Sequence, residues 1–399
     1  MNRFARDRGQ EQRATTLELF FDLVFVFAIT QVSHLLLEDL SWRGAARAAL
    51  VLLVVWWGWN YTTWVTNQLD PESTVVRLVL IGVMVAALLM AVAIPEAFGD
   101  RALLFAGAYV AMQVGRNGFL AAVAPSPASS GVLIWLAGAG VLWLAGAFAE
   151  GDLRTTLWIV ALALDYGAPL VLYRVPGVVR LSHHSWQVET AHFAERFQLF
   201  MIIAFGETIV LTGATAAREG LDATGMAALG VAFLSTAAMW WLYFDYVARI
   251  AQRRLELAPD RVRLARDGYT YLHVVFVAGI ILAAVGDELS IAHPTERLSG
   301  GGLAALAGGP ALYLLGHALF RLRLAGSLGR RRLAGAAACG AAGLVGLVAP
   351  AIVVASLVVV VLVAIIALDE LAAWGRRRRG EPSPLERLEA SAGGTTLGA

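Results

Sequence analysis

Residues 18–37 read ELFFDLVFVFAITQVSHLLL, a run interrupted only by Glu18, Asp22, Thr30-Gln31 and Ser33-His34. A helix needs about 20 largely apolar residues to cross the hydrocarbon core of a bilayer. Backbone polar groups in that core must be paired within the segment or in a closed barrel, and a run of this length makes a helix. Similar runs follow at about 46–66, 75–97, 101–123, 131–149 and 155–173 in the first half of the chain. The second half adds about 195–214, 226–248, 268–286, 303–320, 333–348 and 350–368. Between them stand breaks such as Asp70-Pro71, Pro95, Pro125-Ser126-Pro127, Glu150-Gly151-Asp152, Pro176-Gly177, Pro259-Asp260, Pro294 and Ala349-Pro350. The expected fold class is all-α, a polytopic transmembrane helix bundle of about 12 spans.

Composition agrees. The 399 residues are 58% hydrophobic and only 15% charged, against about 25% charged in soluble domains. A formal charge of +1 lacks the basic excess that nucleic-acid binding needs, so no nucleic-acid partner is expected. The single cysteine, Cys339, excludes a disulfide framework and a cysteine-based zinc site. The opening is polar and no small-residue cleavage site follows the first apolar run, so no removable secretion signal is expected. Without lysine there is no Gly-x4-Gly-Lys phosphate loop, and neither His-Glu-x2-His nor Gly-x-Ser-x-Gly occurs.

The arginines give the orientation. With twelve spans, one side collects Arg3, Arg6, Arg8, Arg13, Arg77, Arg116, Arg174, Arg180, the six from Arg249 to Arg266, the five from Arg321 to Arg332, Arg376–Arg379 and Arg387. That is 24 of 31; the other side has Arg43, Arg47, Arg101, Arg154, Arg218 and Arg297, and Arg196 sits at a boundary. By the positive-inside rule both termini are expected in the cytoplasm, the chain lying in the inner membrane. The Arg376–Arg379 run reads as a stop-transfer flank with a disordered end, in contact with anionic lipid.

The halves are alike. Glu18–Gln31 opens the first and Glu195–Thr208 the second, and a double tryptophan follows in each, Trp56-Trp57 and Trp240-Trp241. The third span of each half closes on an acidic turn, Pro95-Glu96 through Asp100 and Asp287-Glu288. Six helices per half make the repeats parallel, related by an axis along the membrane normal, with spans 1 and 7 meeting. The expected organisation is a cytoplasmic segment 1–17, a first repeat 18–173, a linker 174–194, a second repeat 195–372 and a cytoplasmic tail 373–399.

Glu18–Gln31 and His192-Phe-Ala-Glu-Arg-Phe-Gln-Leu-Phe-Met-Ile-Ile-Ala-Phe-Gly-Glu207, with Trp240-Trp241-Leu-Tyr-Phe244 and Tyr269-x3-His273, resemble the signature stretches of the bacterial low temperature requirement A proteins. The resemblance covers nearly the whole chain. It implies a multi-pass inner-membrane protein named for a need during growth in the cold, and brings no biochemical activity with it. Phe20–Thr30 is also similar to the first pore-lining helix of lysosomal and prokaryotic potassium channels. This chain departs from those at Thr16, Phe21 and Leu199, where they carry arginine, serine and aspartate.

Charges within spans cost about 2.5–3.5 kcal/mol at the bilayer centre and normally face the bundle interior, so they are the candidate pathway residues. Glu18 and Asp22, four apart, share a helix face that Ile29 and Ser33 continue. They suit a cation-attracting vestibule, or else Glu18 is interfacial and Asp22 bonds a neighbouring helix or arginine. Glu207 lies deep in span 7 on the face of Arg196, suited to proton or cation exchange or to one interhelical hydrogen bond. Asp165, at the middle of span 6 before Gly167 and Pro169, is a relay site or a structural partner of an arginine or tyrosine. Asn60 sits among Trp56, Trp57, Trp59 and Tyr61, which read as an interfacial belt or a binding wall. Arg116-Asn117 is expected to snorkel to the surface, Asp245 to reach water, and His273 to be a core residue or part of a proton path. His183-His184, Glu189, His192 and Glu195 cluster before span 7, but a di-metal bundle needs two Glu-x2-His units and two more glutamates. No metal or cofactor is expected; His192 and Glu195 orient span 7.

Three functions fit: a channel or secondary transporter for a small ion or solute, an intramembrane enzyme on a lipid or isoprenoid, or a membrane stress factor without turnover. The buried carboxylates favour the first and no motif favours the second. The expected partners are the lipid bilayer and a small cation or proton, and a homo-oligomer is compatible.

Overall fold

The computed structural model describes residues 13–177, 188–219 and 222–395. It is 83% helix, without a strand among the described residues. Fifteen helices follow one another: α1 (Thr16–Glu38), α2 (Trp42–Thr66), α3 (Thr74–Ala93), α4 (Ala102–Val123), α5 (Pro127–Phe148), α6 (Gly151–Gly167), α7 (Thr190–Glu219), α8 (Ala223–Leu242), α9 (Ala248–Glu256), α10 (Arg261–Leu264), α11 (His273–Ala292), α12 (Gly300–Ala325), α13 (Arg330–Val345), α14 (Ala351–Arg378) and α15 (Pro384–Thr395). Their starts are written in short polar residues. Ser41, Asp222 and Ser299 accept the N–H three positions on, and Thr15 with Glu18 forms a capping box.

Among the described residues nine helices are long and apolar enough to cross a membrane: α1, α2, Thr74–Glu96, α5, α7, Ala223–Glu256, Arg261–Ala292, α12 and α14. The other three expected spans are helical but fall short. α6 and α13 have 17 and 16 residues, about 25 Å of helix against a core of about 30 Å. α4 has the length, at 22 residues, but Gln113, Arg116 and Asn117 lower its apolarity.

Burial shows what solvent the surface is built for. On α3, Val76, Leu80, Val83 and Ala87 are buried, while Leu78, Ile81, Val85 and Leu88 on the other face are exposed. Exposed apolar faces of this size are avoided in water; in hydrocarbon they are the favoured outer surface. α2 is the reverse case, with 83% of its apolar window buried although it is the least apolar of the nine.

The chain divides into two units, Met1–Ile203 and Ala204–Ala399, the boundary lying within α7. In the second unit α11 and α12 pack backbone to backbone. A Cβ on Gly309 would lie 2.3 Å from the Ala283 nitrogen, and one on Gly286 2.3 Å from the Leu306 Cα. Glycines seven apart (Gly279 and Gly286; Gly302, Gly309 and Gly316) keep one face of each helix bare. Small residues let helices approach closely where no hydrophobic effect drives association.

Four expectations are corrected. α6 ends at Gly167, because Pro169 disfavours helix in the residue before it; Asp165 is therefore in the last turn, not mid-span. α11 runs on to Ala292, which puts Asp287 inside the helix and buried instead of in a turn. The Arg376–Arg379 flank does not lead into a disordered end over the described residues. α14 continues to Arg378 and α15 starts on a capping box, Ser383 N–H to Glu386 Oε2 at 2.6 Å and Glu386 N–H to Ser383 Oγ at 3.2 Å. Arg116 does not snorkel; it is buried.

Candidate functional site

In the first unit, α1 and the start of α7 meet through two acid–base pairs one helical turn apart. His192 Nε2 is 3.0 Å from Glu18 Oε1, and Arg196 Nη2 is 2.6 Å from Asp22 Oδ1; all four side chains are at most 1% exposed. Steps of four on both helices, in the same direction, mean that α1 and α7 run parallel here. Glu18 is held from both ends, because its other oxygen accepts Thr15 N–H and Oγ1, each at 2.9 Å. Glu195, on the flank of α7, accepts the Ala14 N–H at 2.8 Å.

The second pair sits in an aromatic box. Trp59 Nε1 donates to Asp22 Oδ1 at 2.8 Å, and the Arg196 guanidinium lies 5.9 Å from the Trp59 ring and 6.0 Å from Phe21. Trp56 and Trp59 pack on Phe197 and Phe200. Trp56, Trp57 and Trp59 are fully buried, so they are not the interfacial belt that their sequence suggested. Asp22 Oδ2 and Arg196 Nε and Nη1 are buried with no hydrogen-bond partner among the described residues. Buried charged groups need such partners. One acceptor and two donors of the ion pair are thus left unmatched by the described residues.

A second polar network runs beside it through α2, α4, α5 and α6. Arg116 Nη1 donates to Gly58 O at 3.1 Å and Thr62 Oγ1 at 2.6 Å, and its Nη2 donates to Gln113 Oε1. Gln113 Nε2 donates to Tyr109 Oη at 3.1 Å. Tyr109 Oη donates to Asp165 Oδ2 at 2.9 Å, and Trp143 Nε1 reaches the same oxygen at 3.1 Å. Asp165 thus has a tyrosine partner and meets the arginine only through two neutral groups. Asn60 donates to Trp56 O at 3.3 Å, and its Oδ1 is buried without a partner among the described residues. At the opposite end of α1, Glu38, Asp39, Glu96 and Asp100 rim a cleft of about 530 Å³ with Arg47. There the Ser41 hydroxyl, then its backbone N–H, hold the Asp39 carboxyl below its usual range.

The second unit holds the remaining candidates. Glu207 is buried in α7 beside Thr208, whose Oγ1 meets Thr236 Oγ1 at 3.0 Å. His273 Nδ1 meets Gly268 O at 3.2 Å and its Nε2 meets Tyr243 Oη at 2.8 Å. Both partners lie in π-helical turns, 243–247 and 265–271, a distortion frequent at functional sites. Asp245 is half exposed, 3.8 Å from Arg249. Trp240 and Trp241 are also half exposed, unlike the tryptophans that match them in the first half.

His183 and His184 lie outside the described residues. Among the described residues no group of three or more His, Cys, Asp or Glu side chains could hold a metal. Sequence reasoning missed Asn67, Tyr109, Gln113 and His317. Gln113, Arg116 and Asn117 share one face of an otherwise apolar helix, the signal that could have found that network. His317 is buried among Phe276, Tyr313 and Tyr243, and neither ring nitrogen has a partner among the described residues.

No solved structure matches this chain. An uncharacterised protein of Rhizobium meliloti (strain 1021) is 40% identical over 318 residues, covering 78% of each chain. The family model for the bacterial low temperature requirement A protein (LtrA) matches residues 13–367, a span that contains both acid–base pairs, the Arg116–Asp165 network and the π-helical histidine site. With its many long apolar helices, the chain belongs to the LtrA family of multi-pass membrane proteins.

Proposed function

We propose that this LtrA-family protein is a channel or secondary transporter for a small cation or proton, with Glu18, Asp22, Asp165 and Glu207 along its polar pathway. The observation that carries the reading is the pair of stacked, fully buried acid–base contacts between α1 and α7. A buried ion pair is poor value for stability alone, since well-packed apolar residues serve as well or better. Ionisable groups within membrane spans are rare and by default are candidates for ion and proton routes. The unpartnered oxygen of Asp22 and nitrogens of Arg196 give the pathway groups that water or a passing solute can bind.

The architecture that goes with it has 12 spans, α4, α6 and α13 included, as two parallel six-helix repeats with both ends in the cytoplasm. The parallel run of α1 and α7 supports it, as does the bias of arginine to one set of loops. The reading assigns no covalent turnover, and a homo-oligomer is compatible with it. The test is purified protein in liposomes with an internal pH dye, challenged in turn with proton, sodium and potassium gradients. A flux above empty liposomes for at least one ion is expected; none for any would refute transport of these ions.

A further inference from the structure

Asn67 ends α2 and bonds twice to the backbone of Glu189. Its Nδ2 donates to the carbonyl at 3.0 Å and its Oδ1 accepts the N–H at 2.8 Å. This double contact settles which end of the amide is which, since a flipped amide would set NH₂ against N–H. Nδ2 therefore faces His192 Nδ1, at 3.1 Å, as a donor. A ring nitrogen that accepts carries no proton, so the histidine's proton is on Nε2, which donates to Glu18 Oε1 at 3.0 Å. Among the described residues these contacts match a neutral imidazole with one defined tautomer.

The surroundings are acidic. Glu18 and Asp22 come from α1, and Glu189, Glu195 and Arg196 from α7 and its lead-in. Arg13 precedes the Ala14 N–H that binds Glu195, and α2 offers the neutral amide of Asn67. Of these groups, Glu18 is the carboxylate seen in contact with the ring. A second proton, on Nδ1, would point at the Asn67 NH₂ and break that contact.

We propose that His192 is a proton-loading site: uptake of one proton at Nδ1 strengthens its pairing with Glu18 and breaks its contact with Asn67, while the two Asn67–Glu189 bonds keep the end of α2 on the lead-in of α7. As a coupling step this rests on the transport reading; as a protonation event it stands by itself. Proton occupancy of a single imidazole would thereby set whether Asn67, His192 and Glu18 form one continuous hydrogen-bonded chain.

The experiment is a pH titration of full-length protein with nitrogen-15-labelled histidine in nanodiscs, read by NMR, with His192→Gln assigning the signal. The expected result is the Nε2–H tautomer at high pH, converting to imidazolium on acidification. Asn67→Asp places an acceptor and a charge opposite Nδ1 and is expected to raise the midpoint by about one pH unit or more, roughly tenfold in proton affinity. The signals of the other histidines report whether that variant keeps its fold; if it does not, the wild-type tautomer decides. An Nδ1–H tautomer, no protonation, or an Asn67→Asp midpoint unchanged or lowered would overturn the proposal. The expected titration in a protein that carries no flux would remove the transport reading and leave this one standing.

Discussion

Arg196 and Asp22 meet at 2.6 Å with neither side chain reaching the surface, although 174 residues separate them in the chain. The contact ties the first long helix to the one that opens the second half. It decides how each residue will respond to substitution.

Arg196→Met leaves Asp22 buried with only the Trp59 bond, and a loss of about 3–5 kcal/mol is expected. The double variant Asp22→Leu with Arg196→Met is expected to recover most of it, since an apolar pair of similar volume has no charge to desolvate. Denaturant unfolding in detergent or nanodiscs measures both. A single variant as stable as wild type would mean that the pair is solvated and open.

Gly308 and Gly309 are neighbours on α12 with opposite tolerances. A Cβ on Gly308 meets nothing nearer than 3.8 Å, whereas on Gly309 it would strike the α11 backbone. Gly308→Ala is expected to be neutral or slightly stabilising, because alanine favours helix. Gly309→Ala is expected to lower the thermal midpoint or abolish recovery of folded protein, read by size-exclusion thermal stability. Equal behaviour of the two would contradict the close packing of α11 and α12.

Tyr109→Phe removes the hydroxyl that joins Gln113 to Asp165. Leaving those buried groups short of a partner costs about 1–3 kcal/mol. Trp143→Phe removes the other donor to the same carboxylate oxygen. The two losses are expected to be non-additive, as in any network that shares an acceptor, and a double-mutant cycle measures the coupling.

The short helix α13 tests the span count. In a Cys339→Ala background, Ser327→Cys is expected to react with impermeant thiol reagent only from the cytoplasmic side, and Val348→Cys only from the other side. Labelling of both from one side would remove α13 from the membrane.

How much of this was legible in the sequence follows from what each feature depends on. The long apolar runs and their polar breaks depend on local composition, so α1, α2, α5, α12 and α14 stand close to where they were expected. Capping residues are local too, and Ser383-Pro-Leu-Glu386 carried a helix start that the charge run beside it obscured. Buried partners depend on tertiary contact. Asp22 was visible as a charge in a span, yet nothing in its neighbourhood named Arg196 or Trp59. Arg116 was misplaced because snorkelling is the default for arginine near a helix end, and the carbonyl of Gly58 that receives it lies on another helix. Trp56, Trp57 and Trp59 look the same from sequence on an interface or in a core. π-Helical turns at 243–247 and 265–271 have no compositional signature.

The most direct test is ion flux in proteoliposomes for Asp22→Asn and Glu207→Gln beside wild type, each checked for folding and incorporation. The expected result is a pH- or cation-dependent wild-type flux that falls at least about tenfold in each variant, on the order of 1.4 kcal/mol on the rate-limiting barrier. Folded variants that carry wild-type flux would contradict it, and the buried acids would then belong to the scaffold.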